Sequence, residues 1–154
     1  MVDHGAVRSS PVPHRDWRLV GLVAAGGAVG STLRYLVALA LPAAEHGWPW
    51  ATFAVNLVGA FLLGWLLEGL AARGPEGPRR QRVRLVAGTG VLGGFTTYSS
   101  FALELDRLLV SGNALLALGY AVGTVALGML AALLGVLVAG WLRPHAGSSL
   151  RRSR

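Results

Sequence analysis

The polar groups of this chain that could do chemistry are concentrated in one run, Thr96-Thr97-Tyr98-Ser99-Ser100-Phe101. The run follows Gly93-Gly94 in the middle of a long apolar segment. Four glycines fall within the seven residues from Gly88 to Gly94. Glycine leaves a helix readily, and threonine and serine restart one as N-caps. The pattern predicts a membrane helix broken near its middle and begun again at Thr96-Thr97. At membrane depth such a break persists only where the freed backbone is buried in protein or lines a polar cavity, and breaks of this kind bind ions in transporters. A restarted helix aims unpaired N–H groups and a positive dipole end at the break. Together with the Ser99 and Ser100 hydroxyls, these are donors for a small anion. Tyr98 and Phe101, spaced i, i+3, share a face and carry positively polarised ring edges. The carbonyls freed at Gly93-Gly94 are hard oxygens. Converging from two symmetry-related chains, they suit a monovalent cation. The competing reading is a glycine-rich packing face whose hydroxyls bond to their own helix. The adjacency of the glycine pair and the hydroxyl run weighs against it.

Three further places carry polar groups in apolar surroundings. Asn56 lies in the run Ala51 to Leu70, either as interhelical glue worth about 1 kcal/mol or as an amide donor to an anion. Tyr120, Thr124 and Gly128 recur at i, i+4, i+8 on one helical face. They are either a line of donors that ends in a gap, or hydroxyls bonded locally and back to their own helix. Arg34 is either a snorkelling side chain or a positive charge at a water-filled vestibule that draws anions. His4, His14, His46 and His145 fall in tails or loops, and Glu45, Glu68, Glu104 and Asp106 fall at segment ends or in loops. With no buried acid or imidazole expected, there is no proton relay, metal triad or acid/base pair, so the chain is not read as an enzyme.

The elements that must position these groups are set by composition. Of 154 residues, 53% are hydrophobic and 14% charged, which indicates an integral membrane protein. There is no cysteine, hence no disulfide or thiolate site. Four spans are expected: Leu19 to Leu41, ended by Pro42; Ala51 to Leu70; Val83 to Leu105, interrupted as described; and Ala114 to Leu142. Residues 1–18 form a disordered cytoplasmic tail, 19–142 the membrane domain, and 143–154 a basic tail. The stretch Ala71 to Arg84 is expected to be a solvated turn. Gly26 and Gly30, and again Gly119 and Gly123, form GxxxG pairs that permit close helix contact. Four spans are few to enclose a pathway, which implies an oligomer.

The net charge of +7 rests on fourteen arginines and no lysine. Their placement in tails and one loop points to topology signals and anionic lipid headgroups rather than nucleic acid. Twelve (3 + 5 + 4, from the N-terminal tail, the middle loop and the C-terminal tail) lie on one side of the expected topology, against Arg107 and Arg34. That bias places both termini in the cytoplasm and predicts mainly one orientation.

At these residues the chain resembles the Fluc (CrcB) fluoride-channel family. Gly26-Gly27-Ala28-Val29-Gly30 leading to Arg34-Tyr35 looks like the family's first-helix motif, and Val55-Asn56-Leu57-Val58-Gly59 like its second. Gly93-Gly94-Phe95-Thr96-Thr97-Tyr98-Ser99-Ser100-Phe101 looks like its third-helix signature. The resemblance implies an all-α integral membrane fold of four transmembrane helices, the third broken, paired as an antiparallel dimer in the plasma membrane. It implies two narrow pores passing fluoride in preference to chloride, and a central structural sodium ion held by the main-chain carbonyls of Gly93 and Thr96. The pore aromatics fall on Tyr98 and Phe101, the pore amide on Asn56, and the fourth-helix polar track on Tyr120 and Thr124. Tyr98 stands where the family usually has Phe, and Gly128 where the track usually continues with a hydroxyl. These departures and the arginine bias favour an oppositely oriented paralogue as partner over a second copy. The alternatives are a small four-helix drug/proton antiporter, which needs a membrane carboxylate that Leu19 to Leu41 lacks, or a non-transporting membrane assembly subunit.

Overall fold

A computed structural model describes residues 17–42 and 47–142. The expectations for the two tails, for Glu45 and for His46 lie outside the described residues. Every regular element among the described residues is helical. Helix α1 is Trp17–Ala40, α2 is Trp50–Ala71 and α6 is Ala114–Trp141. At 24, 22 and 28 residues, all three are long and apolar enough to cross a bilayer, which takes about 20 residues. They mark a multi-pass membrane protein. Between α2 and α6 the chain runs through α3 (Pro78–Val83), a π-helical segment (Arg84–Leu92), α4 (Gly93–Phe95) and α5 (Tyr98–Val110).

The helix ends follow local chemistry. Helix α1 stops two residues before Pro42, because a residue preceding proline is pushed out of the α region. Helix α3 begins at Pro78, earlier than the solvated turn expected for Ala71 to Arg84. Proline at a first helical position has no N–H to lose and a φ already suited to the helix. The turn before it is closed by Arg80, whose guanidinium donates to the carbonyls of Gly74 (2.7 Å) and Pro75. Arg84 pairs with Glu76 at 2.7 Å.

Two seams hold the helices together, and small residues make both. Helix α1 packs on the π-helical segment and α4, and α2 packs along α6. At Gly30 an added Cβ would collide with the Val91 carbonyl and come within 2.8 Å of the Phe95 nitrogen. The first GxxxG pair therefore permits the backbone approach expected of it. The second does something else: Gly119 and Gly123 face the Trp48 ring rather than a helix backbone, at distances where an added Cβ would make only ordinary contact. Helices α2 and α6 run parallel. Trp48, just before α2, meets Gly119 and Gly123, while Gly64 meets Ala132 farther along. The most buried cluster, Leu108, Ala117 and Tyr120, is closed by Trp48, Phe53, Phe101, Leu105 and Leu116. Tyr120 is fully buried.

Candidate functional site

The break is where it was expected, but its mechanism differs. Gly93 and Gly94 stay helical within α4. The chain leaves the helix at Thr96 (φ −78°, ψ 158°) and Thr97 (φ −150°, ψ 126°). Glycine is needed at 94 for closeness rather than freedom, since a Cβ there would run into the backbone of Gly27 on α1. Two side chains make the stop. Thr97 caps α5, its Oγ1 accepting from the Ser100 N–H at 3.1 Å. Asn56 of α2 clamps the same residue: the Thr97 N–H donates to Asn56 Oδ1 at 2.9 Å, and Asn56 Nδ2 donates to the Thr97 carbonyl at 3.1 Å. With its N–H turned to Asn56, Thr97 no longer continues the helical ladder back to the Gly93 carbonyl. Thr96 closes the preceding turn, its N–H and its hydroxyl both donating to the Leu92 carbonyl. The Gly94 carbonyl is taken up from α1, by Arg34 Nε at 3.3 Å and, at the limit of a hydrogen bond, by the Ser31 hydroxyl at 3.5 Å. Arg34 is therefore tied to the break and does not snorkel free.

Around the break the singled-out residues separate onto two faces. A cavity of about 490 Å³ is lined by Asn56, Gly93, Thr96, Thr97, Tyr98, Phe101, Thr124 and Gly128. Tyr98 is 80% exposed, and its ring lies 6.2 Å from that of Phe101, which in turn lies 5.2 Å from that of Tyr120. The Thr124 hydroxyl is buried and has no hydrogen-bond partner among the described residues, so it does not bond back along its own helix. A buried hydroxyl without a partner costs about 1–3 kcal/mol, which a ligand in the cavity would offset. At Gly128 an added Cβ would meet open space. On the other face, about 300 Å³ is lined by Ser31, Arg34, Thr52, Val55, Ser100 and Glu104. Ser99 lines neither cavity; its hydroxyl lies 3.1 Å from that of Thr97.

Sequence reasoning missed the centre of this second face. Glu104 was placed at a segment end, but α5 spans Tyr98–Val110, which puts it mid-helix. Its two carboxylate oxygens accept from Thr52 Oγ1 and from the Tyr120 hydroxyl, each at 2.7 Å. Glu104 is half-buried, so the expectation of no deeply buried carboxylate stands among the described residues; what it missed is a carboxylate engaged by two hydroxyls in the middle of α5. Tyr120 is also not an open donor, because its hydroxyl is spent on Glu104. A signal was present: Thr52 and Val55 fall at i, i+3 on α2, and Ser100 and Glu104 at i, i+4 on α5.

Comparison with known proteins decides the family. Residues 21–136 match the family described as "CrcB-like protein, Camphor Resistance (CrcB)". The chain belongs to the CrcB family. It is 50% identical over 129 residues to "Fluoride-specific ion channel FluC 2" of Leifsonia xyli subsp. xyli, an alignment covering 84% of this chain and 88% of that protein. It is 49% identical over 119 residues to "Fluoride-specific ion channel FluC" of Caulobacter vibrioides, covering 77% and 92%. It is 48% identical over 114 residues to "Fluoride-specific ion channel FluC 1" of Cutibacterium acnes, covering 74% and 80%. The family is one of channels, not enzymes.

Proposed function

We propose that this chain forms a fluoride-selective channel that lowers cytoplasmic fluoride by passive efflux. The observation that carries the proposal is the buried Thr124 hydroxyl, without a partner among the described residues, in the wall of a cavity shared with the Asn56–Thr97 clamp and the rings of Tyr98 and Phe101. Fluoride sheds its water only where donors replace it. The Thr124 O–H, the second Nδ2 hydrogen of Asn56 and the polarised ring edges are donors of that kind. The names of the relatives support the choice of ion. Glu104 gives an antiporter reading its carboxylate, but from α5 rather than α1, and with both oxygens already occupied by hydroxyl donors. Fluoride release from proteoliposomes, followed with a fluoride electrode, is the test.

In this reading the broken run Pro78–Val110 is the third of four crossings, and a second chain, inserted the opposite way, closes the cavity into a pore. The role of Arg34 is to hold the break and to leave positive charge at its mouth. A central sodium ion rests on the carbonyls of Gly93 and Thr96 and on their counterparts in the partner. The Gly93 carbonyl loses its helical partner to the Asn56 clamp, which supports this assignment. Gly93→Val, which adds β-branched bulk at the break, is expected to abolish sodium dependence of transport. Thr96→Ser, which keeps the hydroxyl and the carbonyl, is expected to retain it. Sodium-dependent efflux surviving in Gly93→Val would contradict the assignment.

The arginine bias makes the partner an oppositely oriented paralogue. A tag on the C-terminus, probed from each side of the membrane, is expected to react from the cytoplasmic side alone. Equal labelling from both sides would overturn the charge reading.

A further inference from the structure

We propose that the groove between the C-terminal ends of α2 and α6 binds an anionic phospholipid, its phosphate at Arg73 and its acyl chain against Trp65. The inference needs only the membrane placement of the chain and is independent of what the chain conducts.

The groove measures about 390 Å³ and is lined by Trp65, Leu66, Leu70, Arg73, Val83 and Leu142, among others. Because α2 and α6 run parallel, it lies where both helices leave the bilayer. Its lining is apolar except for Arg73, and Arg79 and Arg82 belong to α3, the short helix that contributes Val83 to it. Five arginines fall between positions 73 and 84, but they are not equivalent. Arg80 is committed to the carbonyls that close the turn, and Arg84 to Glu76. Arg73, Arg79 and Arg82 are exposed, and their guanidiniums make no hydrogen bond or ion pair within the described residues. Within residues 68–84, Glu76 is paired with Arg84, Glu68 has an interaction of its own, and five arginines against two carboxylates leave a charge of 5 − 2 = +3. A soluble phosphate would satisfy the guanidiniums but leave the apolar walls bare. A neutral lipid would fill the walls but leave the three guanidiniums unmatched. An anionic phospholipid satisfies both: Trp65, eight residues before Arg73 and about 12 Å deeper along α2, lies at the depth of the acyl chain when the phosphate is at Arg73.

Attraction between a basic residue and an anionic membrane surface amounts to about fivefold in affinity per residue. The test uses the purified full chain in detergent micelles doped with brominated phosphatidylglycerol or brominated phosphatidylcholine. Bromine quenches tryptophan at short range, and the Trp65 contribution is the difference between the native chain and Trp65→Phe. Phosphatidylglycerol is expected to quench Trp65 at roughly a tenth or less of the mole fraction needed for phosphatidylcholine. Arg73→Gln should shrink that preference about fivefold, and the triple change at Arg73, Arg79 and Arg82 should remove it. Arg107→Gln, at the far end of α5, should leave it intact. Micelles make the readout independent of insertion direction, which these arginines also influence. Equal quenching by the two lipids, or a preference that survives the triple change, would overturn the proposal. So would displacement by inorganic phosphate, which would mean a soluble anion site. Quenching by neither lipid would mean that a second copy covers the groove, and would overturn it as well.

Discussion

Replacing Phe101 with isoleucine is expected to stop fluoride efflux in the assembled channel while leaving the protein folded. Phe101 lines the cavity beside the break, and its ring sits 5.2 Å from the buried Tyr120 ring. Isoleucine keeps most of the bulk and removes the ring quadrupole. The lost aromatic pairing costs stability about 0.5–1.5 kcal/mol, too little to unfold the chain. An anion stripped of water loses the positively polarised edge it would meet there, so efflux should fall at least tenfold, on the order of 1.4 kcal/mol or more. Size-exclusion chromatography checks that assembly survives, and a fluoride electrode reads the flux. Undiminished efflux from an intact Phe101→Ile protein would remove Phe101 from the pore.

The second large effect is expected at Asn56, where two substitutions separate holding the break from meeting the ion. Asn56→Leu removes both partners of Thr97 at once. A fully buried backbone group left without a partner costs about 1–3 kcal/mol; Thr97 is half-buried and lines the cavity, so the loss should be about 1–3 kcal/mol for the two groups together, with the start of α5 loosened. Asn56→Asp keeps the acceptor for the Thr97 N–H but replaces the donating NH2 with negative charge. It should fold more stably than the leucine variant and still fail to pass an anion. Thermal stability in detergent separates the two. A leucine variant as stable as the native chain would show that Asn56 does not hold the break, and an aspartate variant that conducts normally would show that its amide does not face the ion.

The ends of α1, α2 and α6 were legible because composition and proline placement dictate them, and they fall within about two residues of expectation. The existence of the break was legible from the crowding of glycine and hydroxyl residues. Its mechanism was not, because that depends on other helices. Gly93-Gly94 looks like a helix breaker in isolation, yet α1 presses close enough that glycine is required for contact, and the helix continues through both residues. The stop is imposed from α2 by Asn56, forty-one positions away along the chain. The π-helical turns from Arg84 to Leu92 had no signature in propensity, since such turns are set by packing on neighbours. Glu104 was misread for a related reason. Counting a continuous helix from Val83 put it at the exit, while a helix restarted at Tyr98 and running to Val110 puts it in the middle, opposite Thr52 and Tyr120.

The grouping of Asn56, Tyr98, Phe101 and Thr124 around one cavity could be anticipated only through the family resemblance, because their spacing along the chain says nothing of their distance in space. What the structure adds is that they are not alike. Asn56 and Tyr120 spend hydrogen-bonding capacity on Thr97 and Glu104, whereas the Thr124 hydroxyl has no partner among the described residues. That difference predicts which hydroxyl is free to greet an ion.

The most direct test of the fluoride assignment is ion release from proteoliposomes loaded with potassium fluoride or potassium chloride, with valinomycin to balance charge. The chain is reconstituted with a copy whose orientation has been inverted by moving the arginines of the 73–84 stretch to the 111–113 turn, so that both orientations are present. Fluoride is predicted to leave rapidly while chloride is retained. Retention of fluoride, or release of both ions at the same rate, would contradict the account.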